Sequence, residues 1–113
     1  MPKVYLLNKA GHDYSDAERY GELVTCTEGS LDKLDLQQMY RELSHAMQDS
    51  ESCDFILLTS LTSLCCIACG IFSSKHGGLN LLIHTNSGYF ERSVFFNNEY
   101  KDNNYESERT FNR

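Results

Sequence analysis

The chain has 113 residues, 41% of them apolar, with seven tyrosines and six phenylalanines. That length and composition suit one folded domain and argue against a disordered chain. A formal charge of -6 and an isoelectric point near 5.1 speak against broad attraction to duplex phosphates or an anionic membrane, so neither is an expected partner.

No apolar stretch reaches the roughly 18 residues of a membrane span. The opening "MPKVYLLNKAGHD" runs into a strand pattern and not a signal-peptide pattern. Cysteine is odd in number, five in all, and three sit together in one apolar segment, "LCCIAC". This is poor material for a disulfide framework and points to a reducing, cytoplasmic setting.

In chain order, "KVYLLNK" predicts a buried strand over Val4 to Leu7 that ends at Asn8. In "AGHDYSDAERYG", Ser15 stands three residues before Glu18, which predicts a capping box and a short helix closing at Gly21. "ELVTCTEG" is the next strand. "LDLQQMYRELSHAMQD" places Leu36, Met39, Tyr40, Leu43 and Met47 at helical spacing. Asp35 is its expected N-cap with Gln38 completing the box, and Leu34 is expected to staple onto Met39.

"FILLTS" then predicts a central strand over Phe55 to Leu58, buried on both faces. The segment "LTSLCCIACGIFSSKHGG" repeats apolar residues at Leu64, Ile67, Ala68, Ile71 and Phe72, and closes with Lys75 and His76 before Gly77. It reads as a helix with little polar surface. "LNLLIHT" is a further buried strand, and "TNSGY" is turn chemistry leading into "YFERSVFF", a half-exposed edge strand.

The expectation is therefore a compact α/β Rossmann-like three-layer fold over residues 1–96, with parallel strands in order 2-1-3-4 and an antiparallel C-terminal edge strand. Residues 97–113 read as a polar, loosely ordered tail.

In such a sheet the ligand crevice lies at the carboxyl ends of the strands where the order reverses. The loops delivered there carry Asn8, Lys9, Gly11, His12 and Asp13 after the first strand and Thr59, Ser60, Thr62 and Ser63 after the third, with His84 adjoining. Free N–H groups at the start of the Leu64 helix, aided by hydroxyls, suit an anionic group. Lys9 would add charge, and His12 an imidazole. The competing reading is that these hydroxyls only cap the helix.

The glycine fingerprint of dinucleotide folds and the Walker loop are both missing. Cys66 and Cys69 form a C-x-x-C that would suit redox work only if exposed and activated. Their other reading, with Ala68 and Gly70, is as small residues that let the helix pack closely. Cys26, Cys53, His76 and His84 have no second paired spacing for zinc, so no metal and no cofactor are expected. His12 with Asp13, Asp16 and Glu18 could serve acid–base chemistry or merely form a solvated acidic turn.

The stretches "VYLLNKAGHDYSDAERYGELVTCTEG" and "DFILLTSLTSLCCIACGIFSSKHGGLNLLIHTNSGYFERSV" resemble small Rossmann-like proteins carried by bacteriophages. By fold alone, and through "NKAGHD" and "TSLTS", the layout is similar to Rossmann-like domains that sense cyclic oligonucleotides in bacterial immunity. That resemblance implies a ligand held by the polar loops after the first and later strands.

The leading expectation is a cytosolic binding module for a nucleotide or other phosphate-bearing ligand, contacted by Asn8, Gly11, Asp13, Thr59, Ser60, Thr62, Ser63 and His84. Were the site catalytic, metal-independent phosphodiester cleavage assisted by His12 or Lys9 is the first expectation. The alternative is a protein-interaction or structural accessory protein. It would act as a homodimer, or pair with a protein partner, through the edge strand and the tail.

Overall fold

The computed structural model describes residues 1–96; the expected tail, residues 97–113, lies outside the described residues. The elements run β1 (Lys3–Leu6), a 3-10 helix (Ser15–Tyr20), β2 (Glu22–Thr25), α1 (Leu36–Ala46), β3 (Phe55–Leu57), α2 (Thr62–His76), β4 (Gly78–Thr85) and β5 (Gly88–Phe95). They build one sheet in the order β2-β1-β3-β4-β5. All neighbours are parallel except β4 and β5, as the element order predicts.

The continuous apolar run of β1 follows from its place between two strands, where both faces are covered. Tyr5 and Leu7 turn to one face and pack with Ile56 against Met39, Leu43 and Met47 of the α1 region and Leu64, Ala68 and Phe72 of α2. Val4 and Leu6 turn to the other face, where Leu57, Leu82 and Ala17 complete a second, smaller core. One layer is thus α1 with α2, the middle layer is the sheet, and the third is the 3-10 helix alone.

Several local expectations differ in their physics. Ser15 does not cap a helix: it lies inside the 3-10 helix, whose start has no side-chain cap. Asp13 takes over, its Oδ1 accepting the Ser15 N–H at 2.9 Å. Four polar residues in that six-residue segment and a single buried one, Ala17, explain why it stays one tight, short turn.

The α1 cap forms as expected, Asp35 Oδ1 accepting the Gln38 N–H at 3.1 Å. The staple does not, because Leu34 is 89% exposed. Leu36 and Tyr40 also stay half exposed, so α1 buries a narrower stripe than its periodicity suggests. Within α2, Ala68 is buried, whereas Cys66 and Gly70 face solvent. A Cβ at Gly70 would meet nothing within 4 Å, so the small-residue packing reading holds only for the inner side of the helix.

Helix α2 ends on Gly77 at φ 74, a left-handed position that glycine occupies without a Cβ penalty. The next residue, Gly78, is needed for closeness, since its Cβ would stand 2.7 Å from the Val94 carbonyl oxygen across the β4–β5 ladder.

Candidate functional site

At the carboxyl ends of β1, β3 and β4 the structure opens a cleft of about 550 Å³. This volume is in the range of small-molecule sites, and the place is the switch point of the sheet, where β1 leads to β2 on one side and β3 to β4 on the other. Of the residues singled out from sequence, Asn8, His12, Asp13, Thr59, Ser60 and His84 line it. Lys9, Gly11, Thr62 and Ser63 do not. The Lys9 backbone instead extends the sheet: its N–H donates to Thr27 at 2.9 Å and its carbonyl accepts from Gly29 at 3.2 Å.

Asn8 is the most constrained of the polar lining residues. It is only 6% exposed, and one end of its carboxamide lies 2.9 Å from the Thr27 hydroxyl oxygen, whose single proton goes to the Leu7 carbonyl at 2.7 Å. That contact anchors one end of the carboxamide, and the other end has no protein partner among the described residues. Tyr14 reaches over from the first loop, its hydroxyl donating to the Asn8 carbonyl at 3.4 Å.

Aromatic rings form much of the remaining wall. His84 and Tyr89 sit directly across the β4–β5 hairpin and meet edge to face at 5.1 Å. His12 and Tyr14 meet in the same way at 6.0 Å. Tyr89 is held in place by its carbonyl, which accepts the Tyr20 hydroxyl at 3.0 Å. Burial, then the nearby Tyr14, Asp16 and Asp13, push the Tyr89 phenol above its ordinary pKa. Asp13 shows the reverse, because the N–H and hydroxyl of Ser15 hold its carboxyl below the usual range.

The strand-to-helix turn after β3 is braced by a cysteine together with the Thr59 hydroxyl. Helix α2 starts at Leu61 without a side-chain cap. The Thr59 N–H donates to the Cys65 sulfur at 3.4 Å, and that thiol donates back to the Thr59 carbonyl at the same distance. The Thr59 hydroxyl accepts the Leu61 N–H at 3.1 Å. The first amides of α2 therefore begin beside Ser60 and Leu61 of the cleft wall with no side chain closing them off.

All five cysteines are free thiols. Burial, then Cys65 and Cys66, raise the Cys69 pKa, the opposite of what an activated C-x-x-C requires. At the far end of the sheet, Glu51, Cys53 and Asp54 come close enough to share a metal ion. The Asp54 oxygens are already occupied, however, by the Lys3 and Glu51 N–H groups and the Lys3 ammonium. That cluster is a structural knot.

Sequence reasoning missed Ala10, Tyr14, Leu57, Leu58, Leu61, Ile83 and Tyr89 as cleft walls. Two of them carried a usable signal: Tyr89 directly follows the turn opposite His84, and Tyr14 directly follows the Gly-His-Asp loop. The aliphatic ones carry none that separates a cleft wall from the core.

Fold and cleft together define a small α/β protein with a mostly parallel sheet open at its switch point. The family model described as Phage Pam3 gp32-like protein matches residues 2–96. The chain belongs to that family. Among curated proteins and among solved structures, nothing matches it. Among the described residues, no helix is long and apolar enough to cross a membrane.

Proposed function

We propose that this protein is a small binding module that takes a nucleotide or another phosphate-bearing ligand with a planar ring system in the cleft. The observation that carries the reading is Asn8, a nearly buried carboxamide in the cleft wall, anchored on Thr27 at one end and without a partner among the described residues at the other. A buried polar group left unsatisfied costs about 1–3 kcal/mol, which a ligand or water that bonds it recovers. Tyr14 and Tyr89 supply ring faces for stacking, and the uncapped start of α2 supplies amides and a partial positive charge for a phosphate.

Thermal unfolding against mono-, di-, tri- and cyclic nucleotides, with phosphate and sulfate as controls, tests this. A ligand at about 100 times its dissociation constant stabilises by roughly 2.7 kcal/mol. The expected result is a rise with one nucleotide class that is lost in Asn8→Leu, which keeps the shape of the side chain but removes its polar ends. A flat panel overturns the reading.

A second reading has its own observation. Strand β5 is the outer edge of the sheet, and Phe90, Val94 and Phe95 on it are 42%, 42% and 74% exposed. Pairing of this edge with a second copy of the chain, giving a homodimer, would cover them.

A further inference from the structure

The cleft is unusual for a phosphate site in the charges around it. Among the described residues, no lysine or arginine lines it. The nearby Arg19 is engaged elsewhere, its guanidinium donating to the Tyr20 hydroxyl at 2.9 Å and lying 5.0 Å from the centre of that ring. Asp13 lines the cleft from an exposed loop, its carboxylate held by the N–H and hydroxyl of Ser15 and by no cation among the described residues. Asp16 lies close enough to act, with Asp13, on Tyr89. The whole chain is acidic as well, at -6.

A helix start offers roughly half an elementary charge, which suits one phosphate. The two or three further charges of a polyphosphate would have to extend through a low-cation cleft past a carboxylate, and each would be repelled. Toward a ligand, the Asp13 carboxylate can bond favourably only to a hydroxyl or amine donor, such as those of a sugar or a base edge.

We propose that the cleft discriminates by ligand charge: it accepts a nucleoside carrying one phosphate and rejects the di- and triphosphate, with Asp13 as the residue that enforces the difference. This rests on the ligand reading above and deepens it to a substrate class.

The test is calorimetric titration of the full chain and of Asp13→Asn with the four common nucleosides, their 5′-monophosphates and their 5′-triphosphates. Asparagine keeps an oxygen for the Ser15 N–H, so the loop is retained, and thermal unfolding without ligand checks this. The expected result is that one monophosphate binds the native chain at least about tenfold tighter than its triphosphate, and that Asp13→Asn narrows the ratio by roughly tenfold. Binding in which the triphosphate is the tighter ligand, or a ratio that Asp13→Asn leaves unchanged, overturns the charge filter while leaving nucleotide binding in place. Absence of binding by any of the twelve compounds, counted as four bases in three phosphorylation states, overturns both readings together.

Discussion

The Asp54 carboxylate holds Lys3 twice, accepting its backbone N–H at 2.9 Å and facing its ammonium at 3.3 Å. The two residues are 51 positions apart, and they tie the start of β1 to the start of β3 before the Val4–Phe55 pairing begins. The second oxygen also accepts the Glu51 N–H at 2.8 Å, so the knot sets the turn that leads into β3.

This knot makes stability depend on acid in a definite direction. Burial alone pushes the Asp54 carboxyl up, but the Lys3 and Glu51 N–H groups and the Lys3 ammonium outweigh it and hold it below the ordinary range. A carboxyl lowered in the folded state contributes stability that is complete above its unfolded pKa, about 3.9, and is lost as pH falls through the lower folded value. Urea unfolding at neutral pH should therefore show Asp54→Ala destabilised by about 1.5–3 kcal/mol. The gap from the native chain should close as pH drops through that window. A constant gap down to pH 2 would show that the charge of Asp54 is not what matters.

Tyr5 offers the opposite kind of test. It is 1% exposed, and burial, then Asp54, Cys26, Asp49 and Glu51, push its phenol above the ordinary range. Among the described residues its hydroxyl has no hydrogen-bond partner. Removing a buried polar group with no partner by a replacement of the same shape is neutral or stabilising. Tyr5→Phe should leave the unfolding midpoint unchanged or raise it, by up to about 1–3 kcal/mol of recovered desolvation. A loss beyond 1 kcal/mol would point to an ordered water on the hydroxyl.

The thiols should separate by reactivity. Cys53 and Cys66 are exposed. Burial pushes the Cys26 thiol up to about 12 and also raises that of Cys69. Thiolate is the reacting form, so iodoacetamide at pH 8 should label Cys53 and Cys66 first and reach Cys26 and Cys69 only on denaturation. Peptide mass mapping over time gives the order, and early labelling of Cys26 would contradict this packing.

Much of this architecture was legible because its signals are local and redundant. The runs at Val4 and Phe55 are apolar without alternation, which only strands covered on both faces require, and Gly77 marks the end of α2. The strand order followed from crossover rules, and with it the position of the cleft. The walls were less legible. Ser15 and Glu18 have the spacing of a capping box, but the loop geometry is decided by Asp13, and sequence spacing alone cannot rank two acceptors competing for one turn. Cys65 gave no sign of its bonds to Thr59, since a thiol in an apolar helix looks the same whether it packs or bonds. Lys9 was expected in the site by adjacency to Asn8, yet successive residues of an extended chain face opposite ways, so a buried Asn8 in the cleft sends Lys9 out of it.

The edge of the sheet supplies the last prediction. Ile83 and Phe90 pair across the hairpin, as do Leu79 and Val94. Directly opposed residues share a face, so these four lie on the side that carries α2, with the Leu81–Arg92 pair between them and the Arg92 guanidinium 5.7 Å from the centre of the Phe90 ring. Leu79 packs into the core beneath α2, while Ile83, Phe90 and Val94 are 36%, 42% and 42% exposed. Helix α2 thus covers Leu79 and leaves Ile83 and the β5 residues open. An open edge bearing apolar side chains is a template for pairing with another strand, and in a homodimer two copies of β5 would run antiparallel about a two-fold axis. Sedimentation over a range of concentrations should then show a reversible dimer. Val94→Lys should shift it to monomer with the unfolding midpoint of the monomer little changed, because Val94 is at the surface and a lysine there is a common guard of free edges. A native chain that stays monomeric at high concentration would leave β5 as a tolerated edge and exclude the homodimer.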